Sequence, residues 1–307
     1  MKTAQYDGRK TGFYVAADGV ADVVNLAIEL GRPILVEGEP GCGKTKLAYS
    51  IADELGLGEV VKIAVKSTSR AQDLLVRMNA LRRLQDAQRR DDESAKYVWP
   101  YLSLGPLGEV IRRGERRVVL IDEIDKADID FPNDLLDVLE DFSFQVEDLP
   151  LEEEAASRAR ESGFGRTVHG NRDALPIVVI TSNREKRLPE PFLRRCLYVR
   201  VTFPTRPEDL RDIVLKNTPG SLEQLRDDVL NAAVVAFLKV RQRALGHTQK
   251  PPTTSELIDW VRILHWKGTT PEQLAAADAA PPYWHVLFKT MGDLDEYQAR
   301  LQAPGGA

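Results

Sequence analysis

The sequence predicts an α/β fold, with helices wrapped on a parallel sheet in an αβα core and a small all-helical unit after it. Three observations predict it. Short apolar runs alternate with amphipathic stretches from residue 1 to residue 203. One of those runs leads through a glycine-rich turn straight into a helix-like segment. After Pro204 no strand-like run follows, and the apolar residues recur at helical spacing. The expected organisation is therefore a domain over 1–203, with inserts near 77–100 and 143–175, and a helical unit with a C-terminal tail over 204–307.

The elements follow in order. "DGVADVVNLAIEL" reads as a helix, "ILVEG" as a buried strand, and "KTKLAYSIADEL" as a helix with Leu47, Ile51 and Leu55 on one face and Gly56 as its stop. "VVKIAV", "VVLID" and "IVVITSN" are the remaining short strands. The segment "RRLQDAQRRDDESAK" (82–96) is charged and mixed in sign, which predicts a solvated helix or loop inserted between core elements. A second insertion, from about Phe142 to Leu175, holds the acidic "EEEAASRARES" between "FSFQV" and "RTVHG" and predicts a surface hairpin or loop. Beyond Pro204, "SLEQLRDDVLNAAVVAFLKV" places Leu222, Leu225, Val229, Val234, Phe237 and Leu238 at helical spacing. "TTSELIDWVRIL" opens on a Thr253-x-x-Glu256 capping box and sets Leu257, Val261 and Leu264 on one stripe. The helical unit is expected over roughly 205–290, with a loose "APGGA" tail.

Composition excludes several classes. Apolar residues make up 43% and charged residues 29% of the chain, the balance of a globular protein. Strand-like apolar runs such as Val118 to Ile121 span four residues, far short of a membrane crossing. "MKTAQYDGRK" carries no apolar core and is not expected to be a secretion signal. The formal charge of −5 argues against a protein that coats nucleic acid. Two cysteines, Cys42 and Cys196, with the first inside the glycine turn, point to a reduced, cytoplasmic setting. The histidines at 169, 247, 265 and 285 have no metal-ligand spacing.

Four stretches carry chemistry. Gly38-x-x-x-x-Gly43-Lys44-Thr45 has the spacing of a phosphate loop, in which glycines admit backbone N–H groups to phosphate oxygens and the helix terminus adds positive charge. The loop comprises Gly38, Glu39, Pro40, Gly41, Cys42, Gly43, Lys44, Thr45 and Lys46; Lys44 is expected on the β- and γ-phosphates and Thr45 on Mg²⁺. In "RRVVLIDEIDKA" a buried strand delivers Asp122, placed to hold Mg²⁺, and Glu123, placed to polarise the attacking water. "IVVITSN" ends in Thr181, Ser182 and Asn183, an amide placed for the γ-phosphate or the water. "RLPEPFLRRCLYVRV" ends a short helix on Arg194 and Arg195. These either complement the helix dipole or stabilise charge on a transferring phosphoryl group, in the second case from a neighbouring subunit.

The ordered set "GEPGCGKT", "VVLIDEID", "ITSN" and "LPEPFLRRC", followed by a helical unit, resembles an AAA+ ATPase. Within AAA+ it resembles the MoxR family, especially its CoxD-like and NorQ/CbbQ-like members, and "GPLGEVIRRG" (105–114) and "TSELIDWVRIL" strengthen that placement. The resemblance spans about residues 12–265. It implies a P-loop NTPase core with a helical lid, ATP and Mg²⁺ as cofactors, and hydrolysis of ATP to ADP and phosphate. Gly38, Gly43, Lys44 and Thr45 correspond to Walker A, Asp122 and Glu123 to Walker B, Asn183 to sensor 1, and Arg194 or Arg195 to the arginine finger. One departure stands out. The sensor-2 arginine expected at the start of a lid helix falls at Thr254 or Ser255, neither cationic, while the nearby Lys250 precedes two prolines.

MoxR-like ATPases typically form hexameric rings, work with a partner containing a von Willebrand factor A domain, and remodel or activate a client complex as chaperones. The resemblance therefore implies a homo-oligomeric ring, such a partner and a protein client, with nucleic acid not expected. Two other functions stay open: a nucleic-acid-directed NTPase like McrB, disfavoured by the acidic balance, and a slow nucleotide-state switch, for instance in phage defence. The aromatic run "YVWPYL" (97–102) either lines a ring pore or belongs to the core; the weight lies with the core, because aromatics dominate core burial.

Overall fold

The computed structural model describes residues 5–88, 97–146, 149, 165–218, 227–277 and 280–302. Strands follow the chain as β1 (Ile34–Gly38), β2 (Val61–Ala64), β3 (Val76–Met78), β4 (Leu102–Leu104), β5 (Val118–Asp122), β6 (Ser143–Gln145), β7 (Thr167–His169), β8 (Ile177–Ser182) and β9 (Leu197–Val201). Five of them form one sheet in the order β2-β5-β8-β1-β9. The pairs β2–β5, β5–β8 and β8–β1 are parallel, so the expected α/β fold with a parallel sheet is the observed one. Every residue of the interior strands β5 and β8 is buried, which is why they read as unbroken apolar runs ending in polar residues.

The described chain divides into two compact units. The first comprises residues 1–7, 18–37 and 44–200; the second comprises 8–17, 38–43 and 201–307. In the first unit, Leu35, Ile63, Val119, Ile121, Val178 and Ile180 of the sheet pack with Leu107, Ile111, Phe131 and Phe192 from flanking helices. The helix Lys44–Glu54 buries Leu47 and Ile51 as its spacing predicts, and Gly56 follows it with φ +65°. Trp99 and Leu102 of the aromatic run lie in this core, with Tyr97 and Val98 packed against it, in line with the core reading of that run. β6 and β7 pair antiparallel at the two ends of the second insertion, where the sequence leaves hairpin or loop open. The acidic "EEEAASRARES" falls outside the described residues. In the first insertion, the helix Ala80–Ala87 has no buried residue, as a solvated element should.

Several elements depart from the sequence reading, among them the paired strands β3 and β4. "LYVRV" forms β9, a strand of alternating burial that is not among the strands expected from the sequence. The helical unit also continues past residue 290 into the helix Met291–Gln302, because Tyr297 packs against Trp284 and Phe288 in the second core. That core is built from Val234, Phe237 and Val240 of the helix Asp227–Ala244 and from Leu257, Trp260, Val261 and Leu264 of the helix Thr254–Trp266. Leu222 and Leu225 lie outside the described residues. The Thr253–Glu256 capping box forms as its sequence pattern predicts.

Candidate functional site

In the first unit the C-terminal ends of β5 and β8 carry the cluster. Parallel pairing sets β2 beside β5 with Ala64 opposite Asp122, so Lys62, two residues back on β2, shares the face of Asp122. Its Nζ lies 2.7 Å from Asp122 Oδ2. The other carboxylate oxygen accepts two hydroxyls, Thr181 Oγ1 at 2.7 Å and Thr45 Oγ1 at 3.0 Å. Burial works to raise the Asp122 pKa, but the Lys62, Thr181 and Thr45 hydrogen bonds outweigh it and hold the carboxyl below its ordinary value. The residue is therefore an anion at neutral pH. A hydroxyl and a carboxylate 3.0 Å apart are both hard oxygen donors, which suits a divalent cation such as Mg²⁺.

Glu123 follows with φ 61°, a left-handed backbone that a non-glycine residue keeps only where its surroundings fix it. They do so here. The Glu123 N–H donates to Thr181 Oγ1 at 2.9 Å, so one threonine hydroxyl bridges the two acidic residues. Glu123 Oε1 accepts the Asn183 side-chain amide at 3.2 Å, and Oε2 pairs with Lys126. The structure thus brings together Thr45, Asp122, Glu123 and Asn183 of the sequence-predicted set. Lys44 is buried at the start of its helix, with Lys46 exposed two positions on.

Arg194 and Arg195 end the helix Glu190–Arg195 and make their ion pairs elsewhere. Arg194 pairs with Glu190 of its own helix and Arg195 with Glu140; the Arg194 side chain is largely exposed and that of Arg195 half-buried.

The loop Gly38–Gly43 clusters with the second unit. Gly41 has φ +75° and Gly43 φ +95°, conformations that L side chains rarely adopt. A Cβ on Gly41 would lie 2.5 Å from Thr253 Cβ, so only glycine admits this approach of the capping residue. Thr254 Oγ1 donates to the Gly41 carbonyl at 2.8 Å. Glu39 Oε2 accepts Arg241 NH2 at 2.7 Å, while Pro40 is exposed and Cys42 buried. Neither Cys42 nor Cys196 forms a disulfide with a described residue, and burial pushes Cys196 up to about 12.

Sequence reasoning missed four contributors. Lys62 is the lone charge in an apolar strand, a signal in itself. Asp125 is the third acid of "DEID"; its Oδ2 accepts the N–H groups of Asn183 and Glu185. Arg184, next to Asn183, donates to Glu37 Oε2 at 2.6 Å and to Tyr198, tying together residues of β1 and β9. Arg241 lies on the buried stripe of its helix with Val234, Phe237 and Ala244, where a cation is out of pattern.

A model of the AAA domain, dynein-related subfamily, matches residues 33–196. No curated protein sequence matches the chain. Among solved structures, one mutant form of RuvB from Thermotoga maritima is similar at 17% identity, over 93% of this chain and 70% of that one, with a TM-score of 0.48. A second RuvB mutant from the same organism is similar at 16% identity, over 85% of this chain and 63% of that one, with a TM-score of 0.46. Among the described residues no helix is long and apolar enough to cross a membrane.

Proposed function

The chain belongs to the AAA domain family, dynein-related subfamily, and we propose that it is a Mg²⁺-dependent, MoxR-like ATPase that remodels or activates a partner protein complex. The observation that carries the reading is the bonding of Thr45, Asp122, Glu123 and Asn183 into one network where β5 and β8 end. In this proposal residues 1–203 form the nucleotide-binding domain and 204–307 the helical lid and tail, and the protein works in the cytoplasm. Gly38 to Lys46 hold the triphosphate, with Lys44 on the β- and γ-phosphates. Bound Mg²⁺, held by Thr45 and Asp122, would offset the charge on those phosphates. Asp122 is suited to this because its three hydrogen-bond partners fix the carboxylate in place as an anion.

Glu123 then orients and polarises the attacking water, and Asn183 sets the carboxylate by donating to Oε1. Arg194 or Arg195 serves as the arginine finger toward a neighbour's nucleotide in a homo-oligomeric, hexameric ring. Arg194 is the more exposed of the two and so the more accessible to such a neighbour. The proposed partners are a von Willebrand factor A domain protein and a protein client.

Glu123→Gln tests the reading. The amide keeps the shape of the side chain but not its basicity, so ATP should still bind while steady-state phosphate release falls by at least ~100-fold. Near-normal phosphate release from that variant would remove Glu123, and with it the proposed water-activating arrangement.

A further inference from the structure

We infer that Arg241 is a positioning residue of the nucleotide site, a buried cation of the helical unit that holds the phosphate loop in shape through Glu39. The inference rests on the phosphate-loop reading above and deepens it. Among the described residues the buried cations are Lys44 and Arg241. The first belongs to the phosphate loop, and the second reaches that loop from the helix Asp227–Ala244.

The Arg241 side chain is 6% exposed, whereas that of Glu39 is 57% exposed. A guanidinium so deeply placed must be matched on most sides, because an unmatched buried charge is strongly disfavoured. Arg241 meets that demand with three groups of the second unit. NH2 donates to Glu39 Oε2 at 2.7 Å, NH1 donates to the Pro252 carbonyl, and Cζ lies 3.6 Å from the centroid of the Phe203 ring.

These contacts close a circuit. Arg241 fixes Glu39 on one side and Pro252 on the other. Directly after Pro252 come Thr253, which packs on Gly41, and Thr254, which donates to the Gly41 carbonyl. The loop is thus gripped at two places: Arg241 holds Glu39, and the run 252–254 that Arg241 anchors holds Gly41. Lysine could not do the same, since a point charge lacks the fixed fork that serves two acceptors at once. No cation stands at Thr254 or Ser255, where the family resemblance would put one. Arg241 supplies one that acts on the loop through the Glu39 carboxylate. Its effect is preorganisation: a loop already in its binding shape loses less conformational freedom when a triphosphate arrives.

The test uses the full chain with Glu39→Ala, Arg241→Met, the double variant and Lys44→Ala. Calorimetry gives ATP affinity, thermal unfolding gives stability, and hydrogen exchange of the loop amides is followed without nucleotide. Glu39→Ala and Arg241→Met should each weaken ATP binding by ~10-fold, within the range that coupling between sites commonly spans. The double variant should be no weaker than the poorer single one. Loop amides at 38–43 should exchange faster in the ligand-free single variants. A purely structural role would lower the unfolding temperature but leave the affinity of the folded protein and the loop exchange as in wild type, and that result overturns the inference. Should Arg241→Met fail to fold, Glu39→Ala decides alone, because its side chain is mostly exposed. Loss of binding in Lys44→Ala with unchanged binding in Glu39→Ala rejects the Arg241 role and leaves the phosphate loop standing. Unchanged binding in Lys44→Ala rejects the phosphate-loop reading itself.

Discussion

Asp125 is 1% exposed, and its Oδ2 takes the backbone N–H groups of Asn183 and Glu185 at 3.0 and 2.8 Å, while Oδ1 has no hydrogen-bond partner. One carboxylate oxygen therefore fixes the turn that presents Asn183 to Glu123. Asp125→Ala would leave two partly buried amides without their acceptor, at a cost of ~1–3 kcal/mol. Urea denaturation should show a loss of that size, and a change below ~0.5 kcal/mol would mean that water replaces the carboxylate without penalty. At this scale the sequence exposes residue types but not their partners. Asp122, Glu123 and Asn183 are legible because each directly follows or ends an apolar strand run. Lys62 and Asp125 act on residues about sixty positions away, and only strand register brings them there.

The elements were more legible than the side-chain pairings, because period and capping are local properties. The Thr253–Glu256 box is a case in point: Glu256 Oε2 accepts the Thr253 N–H at 2.8 Å, and the helix Thr254–Trp266 begins where the pattern puts it. Thr253→Ala should destabilise the protein by ~1 kcal/mol through loss of the cap. Thermal unfolding measures this, and an unchanged midpoint would show that the helix start is held by tertiary packing alone. Strand β9 was less legible, because it follows the helix Glu190–Arg195 with only Cys196 between them. The hairpin of β3 and β4 was illegible for another reason. Three-residue strands carry too few positions to show a period, and these are joined across 23 intervening residues.

At the scale of the molecule, the phosphate loop is continuous with the helix Lys44–Glu54 of the first unit but clusters with the second. Sequence alone drew one boundary near Pro204 and so could not anticipate this interleaving. Assembly belongs to the same scale. If Arg194 or Arg195 completes a neighbour's site, mixing Lys44→Ala subunits with subunits lacking both arginines should restore part of the turnover. The first type still donates its arginines to intact loops on the second. Fingers are worth ~10³–10⁵ in rate, so partial rescue should stand well above background. Absence of rescue in mixed assemblies verified by native mass spectrometry would rule out a finger acting between subunits.

The proposed function begins with a triphosphate seated on the loop Gly38–Lys46. Titration calorimetry of ATP against wild type and Lys44→Ala tests that most directly. If the buried Lys44 ammonium meets the β- and γ-phosphates as proposed, removing it should weaken binding by ~10- to 100-fold, the worth of one or two hydrogen bonds to a charged group. Equal affinity in a folded Lys44→Ala protein would contradict the account at its base.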